Sequence, residues 1–478
     1  MRNSMTSSHV DIQTSPQSVP STPSWLGEVA VMAHYLIHLG LLEKIVQEVR
    51  FSRKRFGTYE TIDFICVLIG YTLSGEATLK EFYERLTPFA TQFMVLFGRS
   101  ELPSRAALSR YLKALDQSAV EALRTLFQKD LVARPLTEAG KSTGGLWDRC
   151  AEQWLVFDVD GTRQTARQRA LPSTPDFPPA YRRMTEVCAP GYTGHKRGEV
   201  VRTRTTILQV HTQQWMGTFG NPGNGDYRGD LLRAAAVIAG YVTNQEIPLH
   251  RAILRLDGQY GDYAVVADLD QSGLPYVMRG KDYGLLDHPE IQARLERPPD
   301  QVVTHPETAT TRALFDCLDI ALTGAGPRIR VIVATHPATS TPVRVGTTRD
   351  GVVYELFFTC LPPSAFTPLD VLDLYLHRGG FETVLSDEDK EQDFDRWCSY
   401  TANGQEFWQI LSQWIWNLRL ELGHHLHPTP MRLTEFATAE AAPHTPSASE
   451  EPPPPSVKGT GLMQSPLVQT PQSRPALL

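Results

Sequence analysis

The spacing of apolar residues changes near residue 145, and this change constrains the fold more than any other feature of the sequence. Before it, residues 25–135 place apolar side chains three and four positions apart, which predicts amphipathic helices. After it, the segment 154–157 predicts a strand and the alternating segment 200–217 predicts a strand or a hairpin, with helical segments between such pieces. Strands that alternate with helices indicate a mixed sheet covered by helices, so we predict an α/β fold.

Composition agrees with a large globular chain. Its 478 residues are 41% hydrophobic and 21% charged, which excludes a small disulfide-stapled scaffold. No apolar run approaches the roughly 20 residues of a membrane-spanning helix, so we expect no membrane partner. Six cysteines are scattered without a Cys-x-x-Cys pair and no secretory signal is visible, which predicts a cytoplasmic protein. A net charge of −7 excludes a uniformly basic nucleic-acid coat.

Shifts in composition divide the chain into predicted units. Both ends are rich in Ser, Thr and Pro, which is typical of disordered tails. The predicted units in chain order are a disordered tail at 1–24, a helical domain at 25–140, the first part of an α/β core at 141–285, a β-rich insertion at 286–365, a C-terminal helical part of the core at 366–430, and a second disordered tail at 431–478.

Acidic residues occur where strands are predicted to end. In LVFDVDGT, Asp158 and Asp160 share one face of the strand, because strand side chains alternate. Asp257 ends the strand AILRLDG and is followed by Gly258, as where the backbone turns sharply or approaches a ligand. A third acid, Glu382, lies in a helical segment. Because buried carboxylates need a partner, a metal ion is a candidate for this set.

Carboxylate oxygens are the ligands that Mg²⁺ and Mn²⁺ prefer. Two such ions roughly 3.5–4 Å apart activate an attacking oxygen and stabilise a leaving oxygen in phosphoryl transfer. The acids therefore predict metal-dependent chemistry on a phosphodiester.

The acids belong to three motifs: DGT at 160–162, RLDGQYG at 255–261, and Tyr-x-x-Arg-x-x-x-Glu at Tyr375, Arg378 and Glu382. Together these motifs resemble the DDE transposases of bacterial insertion sequences, and most closely the subgroup with a Tyr-Arg-Glu-Lys signature. The resemblance covers about residues 30–430. It implies a ribonuclease H-like mixed-sheet catalytic core, an all-helical N-terminal DNA-binding domain, and a β-rich insertion before the glutamate.

The resemblance also implies roles for individual residues. Asp160, Asp257 and Glu382 would be the catalytic residues and the ligands of Mg²⁺ or Mn²⁺. Tyr375 and Arg378 would contact DNA phosphates near the cut. Asp158 is the alternative to Asp160 as the first acid, and the Gly-Thr that follows Asp160 favours the latter.

The signature lysine is the one departure from the family pattern. It would fall at position 389, where this chain has Asp389, and Lys390 comes next. One helical position rotates a side chain by about 100°, so Lys390 either binds the same DNA phosphate or points away from it.

Basic residues cluster directly after the first acidic strand. Residues 162–204 contain nine Arg and Lys against three acids, a local surplus of six. Arginine suits bidentate phosphate contacts, so this stretch predicts a DNA-binding surface. The candidate DNA-binding residues here are Arg163, Arg167, Lys196 and Arg197. Near the N-terminus, the segment 104–115 also predicts a short helix with basic residues opposite its leucines, which belongs either in a helical bundle or in a DNA groove.

The combined expectation is a DNA transposase that hydrolyses phosphodiesters at transposon ends and transfers the freed strand into target DNA. Its partners would be double-stranded DNA, as ends and target, and further copies of the chain in a homodimer or higher synaptic complex. It would work at the nucleoid. Two alternatives stay open: a ribonuclease H-like nuclease that cuts without joining, and a decayed or domesticated copy that only binds DNA.

Overall fold

A computed structural model of the chain describes residues 20–50, 57–136, 145–166, 175, 186–192, 197–305, 309–323, 326–339, 345–393 and 395–426. The predictions for most of the N-terminal tail, for the whole C-terminal tail, for Arg167 and for Lys196 lie outside the described residues. Arg197 lies in a described strand, but its side chain is outside the description.

Helices fill the N-terminal part, as the apolar spacing predicts. The helical pattern that begins at Leu26 is divided at Gly40, whose φ of 62° lies in the left-handed region that glycine favours. The Thr78 hydroxyl caps one later helix by accepting the Glu81 N–H, and Ser104 caps another in the same way. The described helices are α1 (Leu26–His38), α2 (Leu41–Glu48), α3 (Thr61–Ser74), α4 (Leu79–Leu86), α5 (Ala90–Val95), α6 (Arg105–Ala114) and α7 (Gln117–Ala133).

A single mixed sheet contains the twelve strands of the described ranges, in the order β3-β4-β2-β6-β7-β12-β10-β9-β8. Off this path, β1 pairs with β2, β5 with β4, and β11 with β12. The strands are β1 (Leu146–Trp147), β2 (Gln153–Thr165), β3 (Ala189–Tyr192), β4 (Arg197–Gln209), β5 (Gln214–Pro222), β6 (Ala252–Leu256), β7 (Tyr276–Gly280), β8 (Gln301–Thr304), β9 (Thr311–Ala321), β10 (Arg328–Pro337), β11 (Thr347–Arg349) and β12 (Val352–Thr359).

The centre of the sheet changes from antiparallel to parallel at β2. On one side, β2 pairs antiparallel with β4, and β4 turns into β5, so the segment 200–217 is a hairpin. On the other side, β2, β6 and β7 run parallel. Helices α8 (Tyr227–Asn244) and α9 (Tyr263–Ser272) supply the crossovers before β6 and β7. The predicted mixed α/β class is confirmed.

Strands of the predicted β-rich insertion continue this same sheet. Residues 356–359 of β12 pair antiparallel with 277–280 of β7, and β10, β9 and β8 follow outward. Helix α10 (Pro289–Leu295) precedes β8 and packs against β9. The boundaries of the predicted units stay predictions.

Three helices complete the described chain: α11 (Pro368–Leu376), α12 (Gly379–Glu391) and α13 (Ala402–Leu426). Helix α13 is buried from Gly404 to Leu418 and packs against α3, α7 and β5. Its Trp408 and Trp414 belong to the same hydrophobic core as the N-terminal helices. The helical part and the sheet therefore share α13.

The two faces of the sheet carry separate cores. Phe157 and Val159 of β2 face α8 and α9, whereas Val156 faces α11. Asp158 and Asp160 follow Val156 in the alternation of β2, so they lie on the face that α11 covers.

No single helix in the described ranges has the length and apolarity to cross a membrane, although two bent pairs of helices pass that test together.

Candidate active site

Two of the predicted acids lie side by side at the centre of the sheet. The parallel pairing of β2 with β6 ends at Val159 opposite Leu256, so Asp160 and Asp257 are the next residues along neighbouring strands. Neighbouring strands are about 4.7–4.9 Å apart, and the matched register directs both side chains to one face. These acids, almost a hundred positions apart in the sequence, therefore meet.

The loop after β6 holds Asp257 in place. One oxygen of Asp257 accepts the Gln259 backbone N–H at 2.8 Å. The close approach in this loop occurs at Gly261, where a Cβ would lie 1.9 Å from the Arg279 carbonyl oxygen. At Gly258 a Cβ would meet no atom closer than 4.0 Å, and its φ is not in the left-handed region. The chain does turn at Gly258, where a 3₁₀ turn over Gly258–Tyr260 begins, and an approach of a ligand to this glycine stays a prediction.

Arg378 places a positive charge next to the acids. It lies between α11 and α12, and its Nη2 donates a hydrogen bond to Oδ2 of Asp160. Only 14% of the Arg378 side chain and 19% of the Asp160 side chain are exposed. Nε of Arg378 is buried and has no hydrogen-bond partner among the described residues.

The third acid, Glu382, affects the pKa of Asp160. Glu382 lies one helical turn after Arg378 on α12 and is exposed. Burial raises the pKa of Asp160 to about 6; Arg378 and the Gly161 N–H lower it, while the charges of Asp257 and Glu382 raise it further. The three predicted acids therefore converge closely enough to interact electrostatically.

Asp158 has a different environment from Asp160. Nε and Nη2 of Arg255 donate to its two oxygens, each at 2.7 Å, and both side chains are fully buried. Arg255 also donates to the Leu374 carbonyl oxygen at 3.0 Å, which ties β6 to α11. The structure thus gives Asp158 a buried ion pair, whereas Asp160 lies next to Asp257.

Tyr375 is enclosed beside the acids. Only 8% of the residue is exposed, and its ring centroid lies 5.1 Å from that of Phe357. The Arg279 guanidinium lies 5.1 Å from the centroid of the Tyr375 ring and donates a hydrogen bond to Glu355. Burial raises the pKa of Tyr375. Because the ring of Tyr375 is packed on its neighbours, little of its surface is left for the predicted contact with a DNA phosphate.

The two lysines near the site differ in their surroundings. Lys390 is exposed on α12, and its Nζ lies 3.8 Å from Asp387. Lys281, which the sequence patterns did not single out, directly follows β7 and donates to the Gln259 carbonyl oxygen at 2.7 Å. It therefore lies at the edge of the sheet that carries Asp257. The sequence signal that identifies Lys281 is its position directly after β7, the strand that runs parallel to β6.

The described basic side chains of the stretch 162–204 are half-buried or buried. Arg163 reaches the loop after β6, with Nη2 3.5 Å from Oε1 of Gln259. Arg202 and Arg204, counted in sequence as part of a DNA-binding surface, are fully buried and pair with acids, so that expectation is wrong for both. Helices α12 and α13 supply these acids and cover that face of β4.

Helix α6 matches its sequence pattern. Leu108 and Leu112 are buried, while its basic side chains Arg105, Arg110 and Lys113 are exposed. Its contact with DNA stays a prediction.

The donor atoms of the three acids fit a hard divalent cation in type, since all are carboxylate oxygens. Within the described ranges, however, no three His, Cys, Asp or Glu side chains are arranged as a ready metal site. The cation that faces Asp160 in this arrangement is the guanidinium of Arg378. The acids thus fit Mg²⁺ or Mn²⁺ chemically, and an ion that binds Asp160 has to compete with the positive charge of Arg378.

Comparison with known proteins gives little further information. No protein-family model matches the chain, and no curated protein matches it. Among solved structures, the chain is similar to piggyBac transposase in a cryo-EM synaptic complex with hairpin DNA. The identity is 11%, the match covers 85% of this chain and 77% of that chain, and the TM-score is 0.43. A likeness at this level carries no argument about the site.

Proposed function

We propose that this chain is a metal-dependent DNA transposase of the DDE type. The observation that carries the proposal is that Asp160 and Asp257, on neighbouring parallel strands, lie next to each other, with the mostly buried guanidinium of Arg378 bound to Asp160 and the charge of Glu382 close enough to raise the pKa of Asp160. Such a set combines the ligands of divalent cations with a group that binds phosphate.

The strand order supports a ribonuclease H-like core for this activity. In β5-β4-β2-β6-β7, an antiparallel meander is continued by two parallel strands, with helices in the crossovers. Asp160 lies on the central strand and Asp257 at the carboxyl end of its parallel neighbour. Sites on open α/β sheets form at such strand ends.

Each group then has a proposed task. Asp160, Asp257 and Glu382 hold Mg²⁺ or Mn²⁺, which when bound supplies activation of the attacking oxygen and stabilisation of the leaving oxygen. Arg378 binds a phosphate beside the reacting bond. Lys281 and Arg163, at the rim around Gln259, bind neighbouring phosphates of the duplex. The reactions are hydrolysis at transposon ends and strand transfer into target DNA.

The partners are proposed on the same basis. They are double-stranded DNA and at least one further copy of the chain, because two element ends have to be joined to one target. The work would take place at the nucleoid in the cytoplasm.

A donor-end assay tests the proposal. Labelled duplexes that carry the sequences flanking the gene are incubated with the full chain, Mg²⁺ or Mn²⁺, and a target plasmid. We expect cleavage at the ends and joining to the plasmid. Glu382→Gln should lower cleavage more than about a hundredfold while end binding is kept, since even outer partners of metal ligands cost roughly 10–100-fold when changed.

The matched control is Glu391→Gln, which makes the same substitution at the exposed end of α12. It should cleave like the wild type. Cutting without joining would identify the chain as a nuclease. End binding without cutting would identify it as a copy that only binds DNA, and Asp389 at the position of the signature lysine would be the first residue to test as the cause. Undiminished cleavage by Glu382→Gln would show that the assigned site is wrong.

A further inference from the structure

In the Arg378–Asp160 pair, each oxygen of Asp160 already accepts one hydrogen bond. Oδ2 accepts the guanidinium Nη2, and Oδ1 accepts the Gly161 N–H at 2.7 Å. Both side chains are mostly shielded from water, so the pair is screened little by solvent. A divalent ion that binds Asp160 therefore has to compete with a positive charge that the chain itself supplies.

The same guanidinium is incompletely satisfied. Its buried Nε has no hydrogen-bond partner among the described residues. The guanidinium fork matches two oxygens of a phosphate, so a phosphate would engage Nε as well. A DNA phosphate thus offers Arg378 more hydrogen bonds than Asp160 does.

The backbone directly after Arg378 lies at the surface. Gly379 and Gly380 follow it at the start of α12, and both are exposed. A Cβ at Gly379 would meet no atom within 4 Å. A ligand therefore reaches the start of α12, next to Arg378 in the chain, without a clash with Gly379.

Asp160 is the acid that such a move would release. Asp158 and Asp257 also act electrostatically on Arg378. Asp158, however, keeps both of its hydrogen bonds from Arg255, and Asp257 keeps the Gln259 N–H. Transfer of Arg378 to a phosphate consequently frees one acid and no other.

We propose that Arg378 is the resident cation of the DNA-free site, which holds Asp160 until a DNA phosphate takes the guanidinium, so that DNA and the divalent ion bind cooperatively. This inference rests on the proposed function. It means that the site is poorly loaded with metal before DNA arrives, which limits hydrolysis of DNA that is not correctly docked. Because coupling between two ligands is reciprocal, the ion strengthens DNA binding by the same factor as DNA strengthens ion binding.

Mn²⁺ binding, followed through the electron paramagnetic resonance signal of the free ion, tests the inference on the full chain. The samples are the wild type, Arg378→Gln, and Arg349→Gln as the matched control. Arg349 forms a pair with Asp287 in the insertion, outside the site. Asp160→Asn and the double variant with Arg378→Gln give the baseline of Mn²⁺ bound elsewhere.

Without DNA, Arg378→Gln should bind Mn²⁺ about tenfold more tightly than the wild type, within the usual range of coupling between two ligands. Arg349→Gln should match the wild type, and the double variant should lose the gain. Adding a flanking-sequence duplex, with Mn²⁺ bound by DNA alone subtracted, should raise the wild-type affinity about tenfold. The same duplex should change Arg378→Gln much less.

Two results overturn the inference in distinguishable ways. If the wild type binds Mn²⁺ at Asp160 equally well with and without DNA, Arg378 does not oppose metal binding. This result needs only the wild type, so it holds whether or not Arg378→Gln folds, and it leaves the proposed function intact. If no sample binds Mn²⁺ above the Asp160→Asn baseline under either condition, both the inference and the proposed metal-dependent activity fail.

Discussion

At the scale of single residues, the burial of Asp158 depends on one guanidinium. Both oxygens of Asp158 are bound by Arg255, and neither side chain reaches solvent. Breaking a buried ion pair by removing one partner costs about 3–5 kcal/mol, because the other charge is left uncompensated. We therefore expect Arg255→Met to lower the free energy of unfolding by about that amount, as measured by urea denaturation.

Asp160→Asn is the comparison on the same strand. Burial raises the pKa of Asp160 to about 6, so its charge at neutral pH costs more free energy in the folded chain than in the unfolded chain. The neutral amide should therefore not lower the free energy of unfolding, although it should abolish DNA cleavage. Equal losses of stability in Asp160→Asn and Arg255→Met would contradict the different roles assigned to the two acids of β2.

Asp373 on α11 predicts a pH dependence. Burial raises its pKa from 3.8 to about 6, and the charge of Asp370 adds to this. The folded chain thus binds this proton more tightly than the unfolded chain, and the associated stability is complete below pH 3.8 and lost as pH rises through about 6. Asp373→Asn should be about 1–3 kcal/mol more stable than the wild type at pH 8.

Urea denaturation at pH 8 and pH 5 measures this difference. The advantage of Asp373→Asn should shrink at the lower pH, where the wild-type carboxyl group is protonated in the folded chain. An advantage that is identical at both values would show that the effect comes from packing or from another group.

At the scale of secondary-structure elements, α12 and α13 cover β4 through buried acids of two kinds. Glu388 of α12 is fully buried, and Nη1 of Arg204 lies 3.7 Å from its Oε1, beyond hydrogen-bond distance. Burial consequently raises the pKa of Glu388 well above its usual range. Glu406 of α13 instead accepts hydrogen bonds from the guanidinium groups of Arg124 and Arg202.

These environments predict opposite results for the same substitution. Glu388→Gln should leave the free energy of unfolding unchanged or raise it at pH 8, because burial penalises the charged form of Glu388 and the amide carries no charge. Glu406→Gln should lower it by about 3–5 kcal/mol, because two buried guanidinium groups lose their counter-charge. Urea denaturation of the two variants measures both, and the reverse order would contradict the assigned environments.

The elements themselves were largely predictable from sequence. The apolar segment 154–157 located β2, alternation over 200–217 located the β4–β5 hairpin, and the Ser104 cap located the start of α6. The burial of Arg202 and Arg204 was not predictable, because polar alternation on a strand looks the same whether water or a distant helix covers it. The acids that lie beside these two arginines are about 180 positions or more further along the chain.

The candidate site was predictable in its members but not in its contacts. Asp160 and Asp158 are equivalent by strand alternation, and they differ only because the register of β2 with β6 places Arg255 opposite one and Asp257 beside the other. The pairing of Arg378 with Asp160 depends on how the junction of α11 and α12 crosses the sheet. Register and crossing geometry are properties of pairs of distant segments, so no local pattern contains them.

At the scale of the whole molecule, α13 is the element that the helical part and the sheet share. Trp408 of α13 is fully buried, and its ring centroid lies 5.8 Å from that of Tyr71 on α3. Truncating a buried tryptophan to alanine costs about 3–5 kcal/mol. We expect Trp408→Ala to lose about this much stability and to speed amide hydrogen exchange in both α3 and β5.

Leu426→Ala, at the exposed end of the same helix, is the control and should change neither quantity. Faster exchange confined to α3 would contradict the view that α13 couples the two parts, since β5 packs on the same helix.

The pairing of β12 with β7 has a consequence for how this architecture changes over evolution or in engineering. Excision of residues 286–365 would strip the hydrogen-bonded neighbour from Val277 and Met278, whose side chains are buried. The bare edge of an apolar parallel strand is a template for cross-molecular β-pairing. A shortened descendant would therefore have to acquire a replacement edge in the same step, or aggregate.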